Sequence, residues 1–242
     1  MKLFIHGVPD TGYMWTPLLE ALDLPKDAYL APTLPCFDGK TPAGFPATVE
    51  AYLDWTLRFL DDVAARHGPV DIIGHDWGAA LCALAAQMRP EAVRTWTVVN
   101  AVPEPSYEWH WLARAWQTPI LGELVMALGS TRRFRRQLVS AGMPQALAHH
   151  EAPLIDRHMK RAILKLYRSA KRPEDGEVDF SRIADRGLAL WGGDDAFVPV
   201  KFAHRFCERW SIPLAVEKGV GHWGICEKPK SFASRLTVHW NR

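Results

Sequence analysis

Residues 70–88, VDIIGHDWGAALCALAAQM, limit what this chain can fold into more than any other stretch. A short apolar run with β-branched residues (Val70, Ile72, Ile73) reads as a buried strand. It stops at Gly74, and Gly78 follows. From Ala79 onward, strong helix formers carry an apolar stripe through Leu81, Leu84, Ala85 and Met88. The pattern is a strand, a sharp turn and a helix, with Asp76 held between the two glycines. Glycines tolerate a strained turn and leave room beside it, so the side chain between them stands exposed at the start of the helix.

The rest of the chain alternates in the same way. Strands are predicted over 2–5, 28–31, 93–99, 187–191 and 214–217, and helices over 16–22, 47–67 and 200–210, with a closing helix at the C-terminal end. Strands alternating with helices predict a mostly parallel sheet covered on both faces. Between residues 103 and 172 the alternation lapses into helices around 109–116, 122–128, 132–139, 145–151 and 155–169. This segment is read as a helical cap inserted into a core formed by residues 1–102 and 173–242. The cap carries twelve Lys/Arg, including Arg132, Arg133, Arg135, Arg136, Lys160 and Arg161, against five acidic residues. It is thus net +7, in a chain whose total is +2. A solvated basic face accounts for this, although an anionic substrate or a docking partner would use the same charges.

A total charge of +2 on 242 residues argues against nucleic acid or membrane surfaces as partners, and leaves a small-molecule substrate. Cys36, Cys82, Cys207 and Cys226 lack metal-type or paired spacing and read as buried free thiols in a reducing compartment. There is no apolar run of about 18 residues and no long apolar signal-peptide core. The expected setting is soluble and cytoplasmic, without metal or cofactor.

Three chemically active residues follow one another in chain order. Asp76 lies in the sharp turn, Asp195 in WGGDDAFVP and His222 in GVGHWG. With HGVPD, GHDWGA, WGGDDAFVP and GHWGICEKP in this order, the chain resembles the α/β-hydrolase superfamily. Within it, an aspartate at the nucleophile elbow resembles the branch of epoxide hydrolases and haloalkane dehalogenases. A carboxylate is already ionised at pH 7. Attack on an ester carbonyl would give an anhydride, whereas displacement at saturated carbon gives a stable alkyl ester. Asp76 therefore points to epoxides or carbon–halogen bonds, with His222, oriented by Asp195, as the base that activates water in the second step. The resemblance assigns the oxyanion donors to the backbone N–H groups of Val8 and Trp77, and implies a cis peptide at Val8–Pro9. Asp76 read alone could cap the following helix, and His222 read alone could be a buried structural histidine. The Gly-x-x-Asp spacing selects Asp195 over its neighbour Asp194. His6 and His75 are read as structural, holding the loops together.

The leaving group is less constrained. An opening epoxide wants a cap tyrosine, and the candidates are Tyr167, in ILKLYRSA, and Tyr107, which sits earlier than the usual first tyrosine. A departing halide wants indole N–H groups, which Trp77 and the cap residues Trp109, Trp111 and Trp116 could supply. Val8 stands where one group of dehalogenases has a halide-binding asparagine. Arginine, which haloacid-type relatives place after the aspartate, is replaced here by Trp77. The expectation is an epoxide hydrolase, with a haloalkane dehalogenase as the alternative. A non-catalytic ligand-binding protein on the same fold is a third reading, and no GxSxG is present for a serine esterase. Only five residues precede the HG loop, so two edge strands of the family pattern should be missing, leaving about six. The strand near 28–31 then becomes an exposed edge, and a homodimer through that edge is expected to cover it.

Overall fold

The computed structural model describes residues 1–171 and 178–241. Among them six strands form one parallel sheet in the order β2-β1-β3-β4-β5-β6. The strands are β1 (Lys2–Ile5), β2 (Tyr29–Leu30), β3 (Val70–His75), β4 (Val93–Val99), β5 (Gly187–Gly192) and β6 (Leu214–Glu217). Helices α1 (Thr16–Leu22), α2 (Val49–His67) and α3 (Trp77–Met88) interleave with the first four. Between β4 and β5 run α4 (Trp111–Gln117), α5 (Leu121–Ala127), α6 (Thr131–Ser140), α7 (Gln145–Glu151) and α8 (Arg157–Ser169). Helices α9 (Val200–Trp210), α10 (Gly224–Glu227) and α11 (Pro229–Trp240) complete the chain. The predicted boundary at 172–173 between cap and second core segment lies outside the described residues.

Burial explains the central strands. Every residue of β3 and of β5 is buried, which suits their unbroken apolar character. The exceptions in β3 are His75 at its end and Asp71, whose carboxylate is matched by Lys2, Arg94 and the Thr95 hydroxyl. The largest wholly buried side chains include Trp15, Trp96, Trp191, Phe4 and Tyr52, spread over both faces of the sheet. The predicted helix starts moved by small amounts for local reasons. Helix α3 begins at Trp77 rather than at residue 79, because the backbone turns at Asp76 itself (φ 52°, ψ −124°). Helix α4 begins at Trp111 because the His110 ring accepts from the Ala113 N–H and caps it. Helix α8 begins at Arg157 because the Asp156 carboxylate caps it. Helix α2 begins at Val49 behind the Thr48 cap. The edge strand β2 is only two residues long, a length that leaves few unpaired backbone groups.

The parallel register brings the strand ends level. Ile5 lies beside Gly74, His75 beside Val99, Val99 beside Leu190, and Gly192 beside Glu217. The residues that follow these strands therefore emerge together at the C-terminal edge of the sheet, where open α/β folds build their sites. At the elbow the backbones nearly touch. A Cβ on Gly78 would lie 2.1 Å from the Ile5 carbonyl oxygen, and one on Gly74 2.1 Å from the Gly78 carbonyl oxygen. Both obstacles are backbone, which cannot rotate aside. Gly78→Ala is therefore expected to destabilise the fold by about 3–4 kcal/mol, read as a lower midpoint in a urea melt.

Candidate active site

Asp76, Asp195 and His222 meet at that edge. The His222 Nδ1–H donates to Asp195 Oδ2 at 2.8 Å, and its Nε2 faces Asp76 Oδ1 at 3.6 Å. Asp195 is fully engaged: Oδ1 accepts from the backbone N–H of Phe197 (2.8 Å) and Val198 (3.0 Å), and Oδ2 also accepts from Asn100 Nδ2 (2.7 Å). Asp194, by contrast, is exposed. Asp76 makes no side-chain capping bond to its helix. Its Oδ2 accepts instead from the Val8 N–H at 3.0 Å, across the Val8–Pro9 cis peptide loop. A Cβ on Gly7 would collide with Asp76 Oδ2 at 2.6 Å, so this approach also needs glycine. Oδ2 is thus held, and Oδ1 is the oxygen turned towards the imidazole.

The charges support one another. Burial alone would push both carboxyls up, but the His222 charge and hydrogen bonds outweigh it and hold Asp76 and Asp195 below the usual range. Burial likewise works against a charged His222, but Asp195 and Asp76 raise its pKa to about 10. Above these residues lies a cavity of about 410 Å³, walled by aromatic and aliphatic side chains from the strand ends and the inserted helices.

The sequence matches the alpha/beta hydrolase family over residues 3–235. The chain belongs to that family. Among characterised relatives it is 35% identical over 91 residues to the lipase LipV of Mycobacterium tuberculosis, covering 38% of this chain and 33% of that protein. It is 34% identical over 92 residues to an epoxide hydrolase of Caballeronia sordidicola, covering 37% of this chain and 27% of that one. These alignments span about a third of the relatives' length or less. In fold it resembles the 2-hydroxy-6-oxo-6-phenylhexa-2,4-dienoate hydrolase of Rhodococcus sp. strain RHA1, with a TM-score of 0.79 at 17% identity over 100% of this chain and 90% of that one.

The aromatic side chains that the segment between β4 and β5 brings to the cavity of this alpha/beta hydrolase fall into two groups. Tyr167 is buried against Trp77 (ring centroids 5.4 Å, interplanar 85°) and Trp116 (4.9 Å). The Trp77 indole N–H faces the Tyr167 hydroxyl without closing a hydrogen bond of normal geometry. Burial, followed by the Asp76 charge, pushes that hydroxyl well above its ordinary range, so it stays protonated. Tyr107 also lines the cavity, but its hydroxyl donates to the Phe197 carbonyl oxygen at 3.2 Å and is engaged there. Trp109 stacks on Trp77 (6.0 Å, 22°), whereas Trp111 is 71% exposed at the rim.

Four residues near the site escaped the sequence reading. Asn100 follows β4 with no motif around it, and its only signal is a polar residue just after an apolar strand. His110 and Phe197 line the cavity from loops without motif spacing. Glu151, from α7, is wholly buried. The motif histidines are structural. His6 Nε2 accepts from Leu34 N–H (2.8 Å), so its Nδ1–H donates to the Gly7 carbonyl, and burial lowers its pKa to about 4. The His75 Nε2–H donates to the His222 carbonyl oxygen at 2.9 Å, tying the elbow to the histidine loop.

No group of three His, Cys, Asp or Glu arranged for a metal ion occurs among the described residues, and no helix there is long and apolar enough to cross a membrane. All four cysteines are buried and free.

The raised pKa of His222 sets a sign for stability. Its contribution is complete below the unfolded value of 6.5 and is lost as the pH rises through about 10. Asp76→Asn removes one of the two anions that hold the proton. Its imidazole should therefore titrate at lower pH by NMR, and the loss of stability between pH 7 and 10 should be smaller than in the wild type.

Proposed function

We propose that this chain is a hydrolase that opens epoxides to vicinal diols through a covalent ester on Asp76. The observation that carries this reading is the elbow carboxylate, with Oδ2 held by the Val8 N–H and Oδ1 free towards the cavity and His222. In the first step Oδ1 attacks a ring carbon, the C–O bond of the epoxide breaks, and its oxygen leaves with the electron pair. Tyr167, which lines the same cavity as Asp76, hydrogen-bonds and then protonates that alkoxide, and the His222 imidazolium replaces the proton. The ring opening uses the one proton that the buried ion pair stores.

Esterified Asp76 carries no charge. One of the two anions that kept His222 protonated is then gone, and the neutral imidazole, aligned by Asp195, takes a proton from water. That water attacks the ester carbon, and negative charge develops on Oδ2. The Val8 N–H is already on this oxygen, and the Trp77 N–H at the start of α3 is the second donor. Collapse breaks the bond from the ester carbon to Oδ1, the second proton of the attacking water passes to that oxygen, and the diol leaves with the carboxylate and the imidazolium restored. The similarity to a lipase does not favour ester substrates, because carboxylate attack on an ester would produce an anhydride.

One observation favours the alternative, a haloalkane dehalogenase. The indole N–H groups of Trp77 and Trp116, both at the cavity, have no hydrogen-bond partner among the described residues and could receive a halide. Halide departure uses no proton, however, and leaves the His222 proton to be shed to solvent.

Four free buried thiols suit a cytoplasmic setting. A second copy across the β2 edge remains the proposed partner, and a monomer in light scattering at micromolar concentration would remove it.

A paired assay decides the chemistry. The wild type should form diol from an epoxide panel and little free halide from a haloalkane panel. Replacing His222 with Gln should trap the first intermediate, seen as the substrate mass added to the peptide containing Asp76. Tyr167→Phe should lower kcat on epoxides by about a hundredfold or more. If neither panel labels that peptide, the covalent mechanism is wrong.

A further inference from the structure

Beneath the loop that supplies the Val8 N–H lies a second set of buried acids that the reaction does not use. Asp10 is wholly buried, and both its oxygens accept from the Trp223 indole N–H (3.2 and 3.1 Å). Its Oδ2 lies 3.7 Å from His75 Nδ1, on the ring whose other nitrogen holds the His222 carbonyl. Glu151, at the end of cap helix α7, descends onto the same loop. Its Oε1 accepts from the Thr11 hydroxyl at 2.9 Å, while its buried Oε2 has no hydrogen-bond partner among the described residues. This is a hydrogen bond between cap and core, made one residue from Asp10 and three from Val8.

We propose that Glu151 is a positioning residue, which holds the 7–12 loop from the cap and thereby keeps the Val8 N–H on Asp76 and Asp10 beneath Trp223 and His75.

The geometry favours a neutral Glu151. The groups that face it are Thr11 and Asp10 on the loop, His150 on its own helix (Nδ1 3.7 Å from Oε1), and Cys226 on α10. The His150 ring is stacked on Tyr13 at 3.6 Å. Cys226 donates to the Met14 carbonyl and brings no positive charge. A proton on the unpartnered Oε2 avoids two buried anions side by side. Burial, and then the Asp10 charge, raise the Glu151 pKa to about 8, with the Thr11 bond pulling the other way. Above that pH a second buried anion would feel the Asp10 charge and weaken the contact between α7 and the loop.

The kinetic test rests on the epoxide hydrolase reading, and the exchange test does not. With an epoxide that the wild type turns over, kcat should fall about tenfold per pH unit above about 8, with KM changed less. Glu151→Gln keeps the acceptor for Thr11 and cannot ionise. Its profile should lose this limb, so that at pH 9 it outpaces the wild type about tenfold. Thr11→Val removes the hydroxyl bond, the larger of the two residue-11 contributions that lower the Glu151 pKa, and leaves the backbone N–H, so it should reduce kcat and move the limb to higher pH. A role in folding alone would lower the melting temperature of both variants and leave the limb in place, which would overturn the proposal.

Hydrogen exchange gives the same decision without substrate. Peptides covering residues 7–12 and 145–151 should lose protection in the wild type between pH 7 and 9, after correction for intrinsic rates, and keep it in Glu151→Gln. Equal loss in both proteins would overturn the proposal. If Glu151→Gln does not fold, the same comparison is made with Thr11→Val, where the loss should move to higher pH. A wild type that turns over no epoxide but shows the expected exchange difference would refute the reaction and leave the positioning role standing.

Discussion

Everything at this site depends on how closely two backbones can pass. The first strand and its loop run over the elbow at a distance that excludes a Cβ at Gly7 and Gly78, and the turn from β3 into α3 excludes one at Gly74. That contact brings the Val8 N–H to Asp76 Oδ2, from a residue 68 positions away in sequence. It also forces Asp76 into a positive-φ conformation that an aspartate adopts only when its surroundings over-determine it. At the elbow this strain falls on Asp76, and the sheet register on either side of it supplies the restraint.

The second constraint is electrostatic. Asp76 and Asp195 flank a single imidazole in a nearly water-free setting, so each charge is tolerable only because the others are present. Asp195 is rigidly satisfied by four donors and serves as the fixed member. Asp76 is held through one oxygen only. The difference in hydrogen bonding separates a carboxylate fixed through both oxygens from one whose second oxygen is turned to the imidazole. Asp10 and Glu151 form a contrasting acidic pair nearby, with no imidazole placed between them as His222 is between Asp76 and Asp195.

The inserted helices were legible as helices because their apolar stripes repeat at helical spacing. Their ends were not, because His110 and Asp156 act as caps only once their neighbours are folded. Tyr107 and Tyr167 looked alike in sequence as candidate proton donors. They differ in the fold because the Tyr107 hydroxyl donates to the Phe197 carbonyl of the Asp195 loop, whereas the Tyr167 ring is buried against Trp77 and Trp116. Asn100 and Glu151 carry no motif, and their surroundings come from segments 95 and 140 residues away. No local pattern could have revealed them.

By itself, the sequence determined the alternation of strands and helices, the tight turn around Asp76 and the chain order of acid, acid and histidine. These are local properties: apolar period, backbone tolerance and residue chemistry. Only the tertiary structure decided which oxygen of Asp76 is turned to His222, which tyrosine hydroxyl is engaged by the Asp195 loop, and that Glu151 of α7 bonds Thr11 in the loop after β1. Those outcomes depend on distances between segments remote in sequence, and they are set by packing and by the exclusion of water, neither of which exists until the chain has folded.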